Sequence, residues 1–217
     1  MPRISRKRTS FTRRTAHLVP RERVLIVCEG EKTEPQYFAD MARDLGLSGT
    51  DVRVCGKDCG SDPLSVVRYA VRAARDDGAF DHVFCVIDKD SHANLNAAVS
   101  EARQTRIKGV KTLGVILSVP CFEYWILIHY CYCAKPFVAT GKRSVGASCL
   151  QELKKHWPDY EKAAEGVYAA RKADMATAIA NAKRRHAECQ AAGTYNPSTL
   201  VYQVVERLQK IAADAGA

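Results

Sequence analysis

The sequence predicts an α/β fold: a mostly parallel sheet flanked by helices, with a C-terminal helical extension. Two observations predict it. Short, continuous apolar runs rich in β-branched residues recur up to Leu117, as in strands buried on both faces of a parallel sheet. Stretches with helical spacing separate them, so strand and helix alternate four times, which implies right-handed βαβ crossovers.

Val24 to Cys28 is the first such run, stopped by Gly30. Pro35 to Leu45 then places Tyr37, Phe38, Met41, Ala42 and Leu45 at helical spacing, and Gly46 marks its end. Asp51 to Cys55 alternates polar and apolar residues, as an edge strand does. Asp62-Pro63 reads as an N-cap followed by proline at the first helical position, opening a helix to about Arg75 before Asp77-Gly78. His82 to Ile87 is the next buried strand, Asn94 to Ile107 a helix, and Thr112 to Leu117 a fourth strand. Pro120 opens an apolar helix to about Cys131. Beyond Cys133 the pattern changes. Leu150–His156, Asp159 to about Gln190 and Ser198–Ala213 read as helices rich in alanine and charge. This gives a basic arm (1–22), an α/β domain (23–133) and the helical extension (134–217).

In a chain of 217 residues and net charge +9, the surplus is concentrated at the start. Arg3, Arg6, Lys7, Arg8, Arg13, Arg14, Arg21 and Arg23 stand against the single acid Glu22. Such an arm is either attracted to phosphate or serves solubility. Met1 to Pro20 is too polar for a secretory signal, and nine cysteines without a zinc-type pattern point to free thiols in a reducing cytoplasm. The apolar run Leu113–Cys133 is broken by Pro120, Glu123 and His129, so it reads as a buried strand and helix rather than a membrane span.

The chemistry gathers where the buried strands end. Glu29, Glu31 and Glu34 follow the first strand, and Asp88-x-Asp90 follows the third. Ligands bind in the crevice at the carboxyl ends of parallel strands, and carboxylates two apart in an extended segment point to one side. Hard oxygen donors of this kind suit Mg²⁺ or Mn²⁺. Without G-x-G-x-x-G or a P-loop in the first turn, dinucleotide and Walker-type sites are excluded. Glu34 reads either as a further ligand or as a charge complementing the helix dipole. Glu123, in the first turn after Pro120, either faces the crevice or pairs with a basic residue. His92 reads as acid/base, phosphate ligand, cap or surface residue; His129, on an apolar helix, as a core histidine; Trp125 and Leu127 as packing. Arg171, Lys172, Lys183, Arg184, Arg185 and His186 form either a backbone-binding track or a solvated face. Asn196-Pro197-Ser198-Thr199 reads as the cap of the last helix, through Asn196 or Ser198.

Four blocks in order carry a resemblance: Val27-Cys28-Glu29-Gly30-Glu31-Lys32-Thr33-Glu34-x-x-Tyr37-Phe38; Asp88-x-Asp90-x-His92; Ser118-x-Pro120-x-Phe122-Glu123-x-Trp125-x-Leu127-x-His129; and Asn196-Pro197-Ser198-Thr199-x-Val201-x-x-Val204-Val205-Glu206-x-Leu208. The first two resemble the Toprim domain of topoisomerases, primases and OLD-type nucleases, and all four together resemble the RloB-like family. The resemblance implies a Toprim-like fold, Mg²⁺-dependent phosphodiester chemistry and a place in bacterial anti-phage defence, often beside an ATPase encoded nearby. Carried over, Glu29 is acid/base or metal ligand, and Asp88 and Asp90 hold the ion. Lys89 departs from the glycine or small residue of many Toprim sequences; its charge either competes with a metal or binds substrate phosphate.

The expected function is therefore cleavage of RNA or DNA by a Mg²⁺- or Mn²⁺-dependent nuclease. Its catalytic residues are Glu29, Asp88, Asp90 and Glu123, its metal ligands Glu29, Glu34, Asp88 and Asp90, and its substrate contacts Lys32, Lys89, His92, Lys142 and Arg143. The competing readings are a non-catalytic sensor or partner subunit that binds an ATPase or phage component, and nucleotidyl transfer as in primases.

Overall fold

The computed structural model describes residues 21–49, 51–57, 59, 60, 62–89 and 94–216. Asp90, His92 and all of the basic arm except Arg21 and Glu22 lie outside the described residues. Strands β1 (Val24–Cys28), β2 (Val52–Cys55), β3 (His82–Asp88), β4 (Thr112–Val119) and β5 (Ser198–Thr199) form one sheet in the order β2-β1-β3-β4-β5. β1 to β4 are parallel, and β5 joins β4 antiparallel. The expected mixed α/β architecture with a C-terminal helical part is what the chain adopts, with β2 on the edge as its alternation predicts.

Helices α1 (Thr33–Asp44), α2 (Pro63–Asp77) and α3 (Leu95–Gln104) are the crossovers. Asp62 caps α2, its carboxylate accepting from the amides of Leu64 and Ser65, and Gly78 ends the helix with φ 67°. The two-residue period of the strands sorts their side chains to opposite faces. Leu25, Val27, Val83, Cys85 and Ile87 meet α2 and α3. Val24, Ile26, Cys28, Phe84, Val86 and Ile116 meet α1 and the later helices α4 (Glu123–Leu127), α5 (Val145–His156), α6 (Val167–Arg171), α7 (Met175–Ala192) and α8 (Val201–Gly216). The C-terminal helices thus build the core of one whole face.

Four expectations need correction. The helix after Pro120 is only the short α4; the run as far as Tyr130 continues in tight turns, with the amides of His129 and Tyr130 bonding three residues back. α5 starts at Val145, where Ser144 accepts from the Ala147 amide, rather than at Leu150. No continuous helix runs from Asp159: residues 157–166 are irregular, because Ala163 (φ 64°) and Gly166 (φ 72°) are left-handed. Finally, Ser198 and Thr199 form β5 instead of the first turn of the last helix. Thr199, not Asn196 or Ser198, accepts from the first amide of α8, while Asn196 pairs both ways with the backbone of Phe137.

All nine cysteines are free thiols. No helix among the described residues is long and apolar enough to cross a membrane; the run from Leu113 is β4 followed by the buried α4.

Candidate functional site

The parallel strands end in register. Glu29 extends β1, its amide donating to Val86 O at 2.9 Å, and the Lys89 amide extends β3 by donating to Ser118 O at 2.7 Å. Ser118, the partner of Asp88 in the ladder, is joined to β5 through a buried hydroxyl pair with Thr199 at 3.0 Å. Side chains following these strands therefore share one rim. There a cavity of about 360 Å³ is lined by Glu29, Gly30, Glu31, Lys32, Thr33, Glu34, Asp88, Glu123, Lys162 and Ala163.

Glu29 reaches the backbone of the neighbouring strand, accepting from the Asp88 amide at 3.1 Å. Glu34, in the first turn of α1, is 9% exposed; Glu123, in the first turn of α4, is 3% exposed. Gly30 makes room for this packing: a Cβ there would lie 2.1 Å from Glu34 Oε2. Burial, reinforced by the charges of Glu123 and Glu29, pushes the Glu34 carboxyl up to about 7. Burial, with Glu34, Glu123 and Glu29 nearby, pushes Asp88 well above the usual carboxylate range. Its Oδ1 is buried without a hydrogen-bond partner among the described residues.

Four carboxylates held together at such cost is the pattern a hard cation relieves. The donor chemistry fits Mg²⁺ or Mn²⁺, and the orphaned Asp88 oxygen supplies a binding atom. Among the described residues, however, no group of three or more Asp, Glu, His or Cys side chains is arranged to hold one ion. Mg²⁺ commonly takes one or two carboxylates and completes its shell with water and substrate phosphate.

The structure gathers Glu29, Glu34, Asp88, Glu123 and Lys32 around the cavity. Glu34 lines the cavity and also stands at the positive end of α1. Glu123 faces the cavity and is also paired with Lys162 at 3.5 Å. Lys89 is exposed just beyond the rim. Lys142 and Arg143, exposed in the turn before α5, do not line the cavity, and Arg143 bonds Gln151. His129 is a core residue. Its Nδ1 bonds Trp125 O at 2.8 Å, and burial holds the ring neutral by lowering its pKa to about 4. Trp125 is fully buried, its Nε1 donating to Tyr37 Oη at 2.9 Å, and Leu127 packs beside it.

The basic residues of the late helices are tied internally. Arg171 meets Asp174, Lys172 meets Asp44, Lys183 meets Glu206, and Arg184 and Arg185 meet Glu188. Sequence reasoning missed Lys162 and the contact of Ala163 with Thr33. Both come from an irregular loop with no motif, and nothing in the local pattern marks them.

A family model described as RloB-like protein matches residues 24–208. The chain belongs to the RloB-like family. The match starts at the first residue of β1 and runs into α8, so the RloB-like unit includes the sheet, most of the C-terminal helices and the loop that carries Lys162. Comparison with curated proteins and with solved structures returned no match.

Proposed function

We propose that this RloB-like chain is a Mg²⁺- or Mn²⁺-dependent nuclease that hydrolyses phosphodiester bonds of RNA or DNA. The observation that carries the reading is the convergence of Glu29, Glu34, Asp88 and Glu123 on one cavity at the carboxyl ends of the strands. Glu29 and Asp88 would hold the cation, with Asp90 as the next ligand in sequence. When bound, the cation supplies Lewis-acid polarisation of the scissile phosphate. Glu34, which lines the same cavity, is placed to take the proton of the attacking water. Glu123 keeps Lys162 at the cavity mouth. Lys32 and Lys89, exposed at the rim, attract the nucleic-acid backbone. The Toprim resemblance supports the same chemistry and adds the setting of anti-phage defence beside an ATPase.

The test is incubation of the purified chain with labelled RNA and DNA in Mg²⁺, Mn²⁺ or EDTA. Cleavage in either metal, abolished by EDTA and by Asp88→Ala, is expected. Cleavage that survives EDTA overturns the metal dependence. Tight complex formation with an ATPase or phage component, undiminished in Asp88→Ala and without cleavage, would instead favour the non-catalytic partner.

A further inference from the structure

Lys162 comes neither from the sheet nor from any acidic motif. The loop between α5 and α6 delivers it to the cavity mouth, where its ammonium lies 3.5 Å from Glu123 Oε1. The carboxylate is buried, whereas the lysine side chain is 61% exposed, so the ammonium faces the crevice with solvent beyond it. An ammonium has three N–H donors; a single carboxylate leaves donors free for a ligand in the cavity.

The loop is held in place. The amide of Ala163 donates to Thr33 Oγ1 at 3.0 Å, which pins the segment to the first turn of α1. Ala163 is the one non-glycine residue with positive φ among the described residues, at 64°. That conformation is unfavourable for alanine and persists only where surrounding contacts impose it.

The charge balance gives this placement a role. Glu29, Glu31, Glu34, Asp88 and Glu123 line the cavity against Lys32 and Lys162, and a phosphodiester brings a further negative charge. Glu123 is engaged by Lys162, and Glu29 and Asp88 are the carboxylates closest to the strand ends. We propose that Lys162 binds the scissile phosphate and supplies a positive charge at the cavity mouth, beside a single divalent cation held at Glu29 and Asp88. This inference rests on the nuclease reading above. Glu123 and Thr33 then act as positioning residues, the first through the ammonium and the second through the loop backbone. A compact ammonium suits phosphate as a point charge.

The experiment compares wild type with Lys162→Ala, Lys162→Arg and Thr33→Val, each checked for an unchanged melting temperature. Three quantities are read: Mn²⁺ bound per chain by electron paramagnetic resonance, affinity for a labelled single-stranded oligonucleotide in Ca²⁺ by anisotropy, and cleavage rate in Mg²⁺. One Mn²⁺ per chain is expected throughout. Lys162→Ala should weaken oligonucleotide binding about tenfold, lower the salt slope by about one, and slow cleavage roughly 10²–10³-fold. Lys162→Arg should keep most of the binding, and Thr33→Val should fall between. Unchanged binding and cleavage in Lys162→Ala, with wild type active, overturns the role of Lys162 and leaves the nuclease reading intact. Two Mn²⁺ per wild-type chain overturns the single-cation arrangement. If wild type cleaves nothing, the nuclease reading fails and the anisotropy decides alone. A tenfold loss in Lys162→Ala then keeps Lys162 as a phosphate-binding residue, and equal or absent binding removes it.

Discussion

Glu29, just past β1, accepts a hydrogen bond at 3.1 Å from the backbone amide of Asp88 at the end of β3. One carboxylate thereby fixes the strand end that carries another. In EDTA at pH 8, Glu29→Gln keeps an acceptor and removes a repulsive charge, so it should match or exceed wild-type stability. Glu29→Ala should fall about 1 kcal/mol below Glu29→Gln in urea unfolding, the usual net value of such a bond. Both should lose Mn²⁺ affinity in calorimetric titration.

Gly30 is required by the approach of Glu34, whose Oε2 would be 2.1 Å from an added Cβ. The obstacle is the end of a side chain, so Gly30→Ala displaces the carboxylate rather than the backbone. The expected result is a loss in urea stability of about 1 kcal/mol or less, with divalent-ion affinity reduced at least tenfold. A large unfolding effect with unchanged Mn²⁺ binding would contradict this account.

Protonation of Glu34 couples to stability with a definite sign. Its folded-state value of about 7 lies above the ordinary 4.5. The folded chain therefore holds that proton more tightly, and the stability it contributes is complete below 4.5 and lost as pH rises through 7. The loss is on the order of 3 kcal/mol. His129 runs the other way: burial lowers it from 6.5 to about 4, so its contribution is present above 6.5 and lost as pH falls through 4. The clean measurement is a difference in melting temperature between Glu34→Gln and wild type in EDTA. It should grow in favour of the variant from pH 5 to pH 8, and Mg²⁺ should erase it by stabilising the wild type. A constant difference across that range would sink the assignment.

Arg185 separates structural from substrate-binding basic residues. It is 8% exposed, and its guanidinium donates to Pro197 O at 2.9 Å and pairs with Glu188 at 3.3 Å. Arg185→Ala should cost about 2–3 kcal/mol in denaturant unfolding, as loss of a buried charged donor does. Affinity of the folded variant for oligonucleotides should not change.

The parallel half of the sheet was readable because local pattern and burial agree there. β1 is apolar throughout and β3 is apolar from Val83 to Ile87, and Asp62-Pro63 and Gly78 bracket α2 with the residues its ends demand. The acidic turns were readable for the same reason: a carboxylate next to a fully buried strand has few places to go. What escaped depends on distant partners. Two residues cannot show a period, so β5 is visible only once Ser118 and Val119 are in place beside it. Lys162 gains meaning from Glu123 and Thr33, far away in sequence. The basic face of α7 looks available for nucleic acid until Glu206 and Glu188 are seen to hold Lys183, Arg184 and Arg185.

β5 also sets an order of events during synthesis. Every carboxylate of the cavity has been polymerised once Glu123 is made, but the strand that borders β4 arrives with Ser198 and Thr199. α8, which supplies Val201, Val204, Val205 and Leu208 to the core, arrives later still. A chain still emerging from the ribosome therefore carries the acidic groups on an unfinished support. The crevice has its full support only once Ser198, Thr199 and the core-facing residues of α8 have been added.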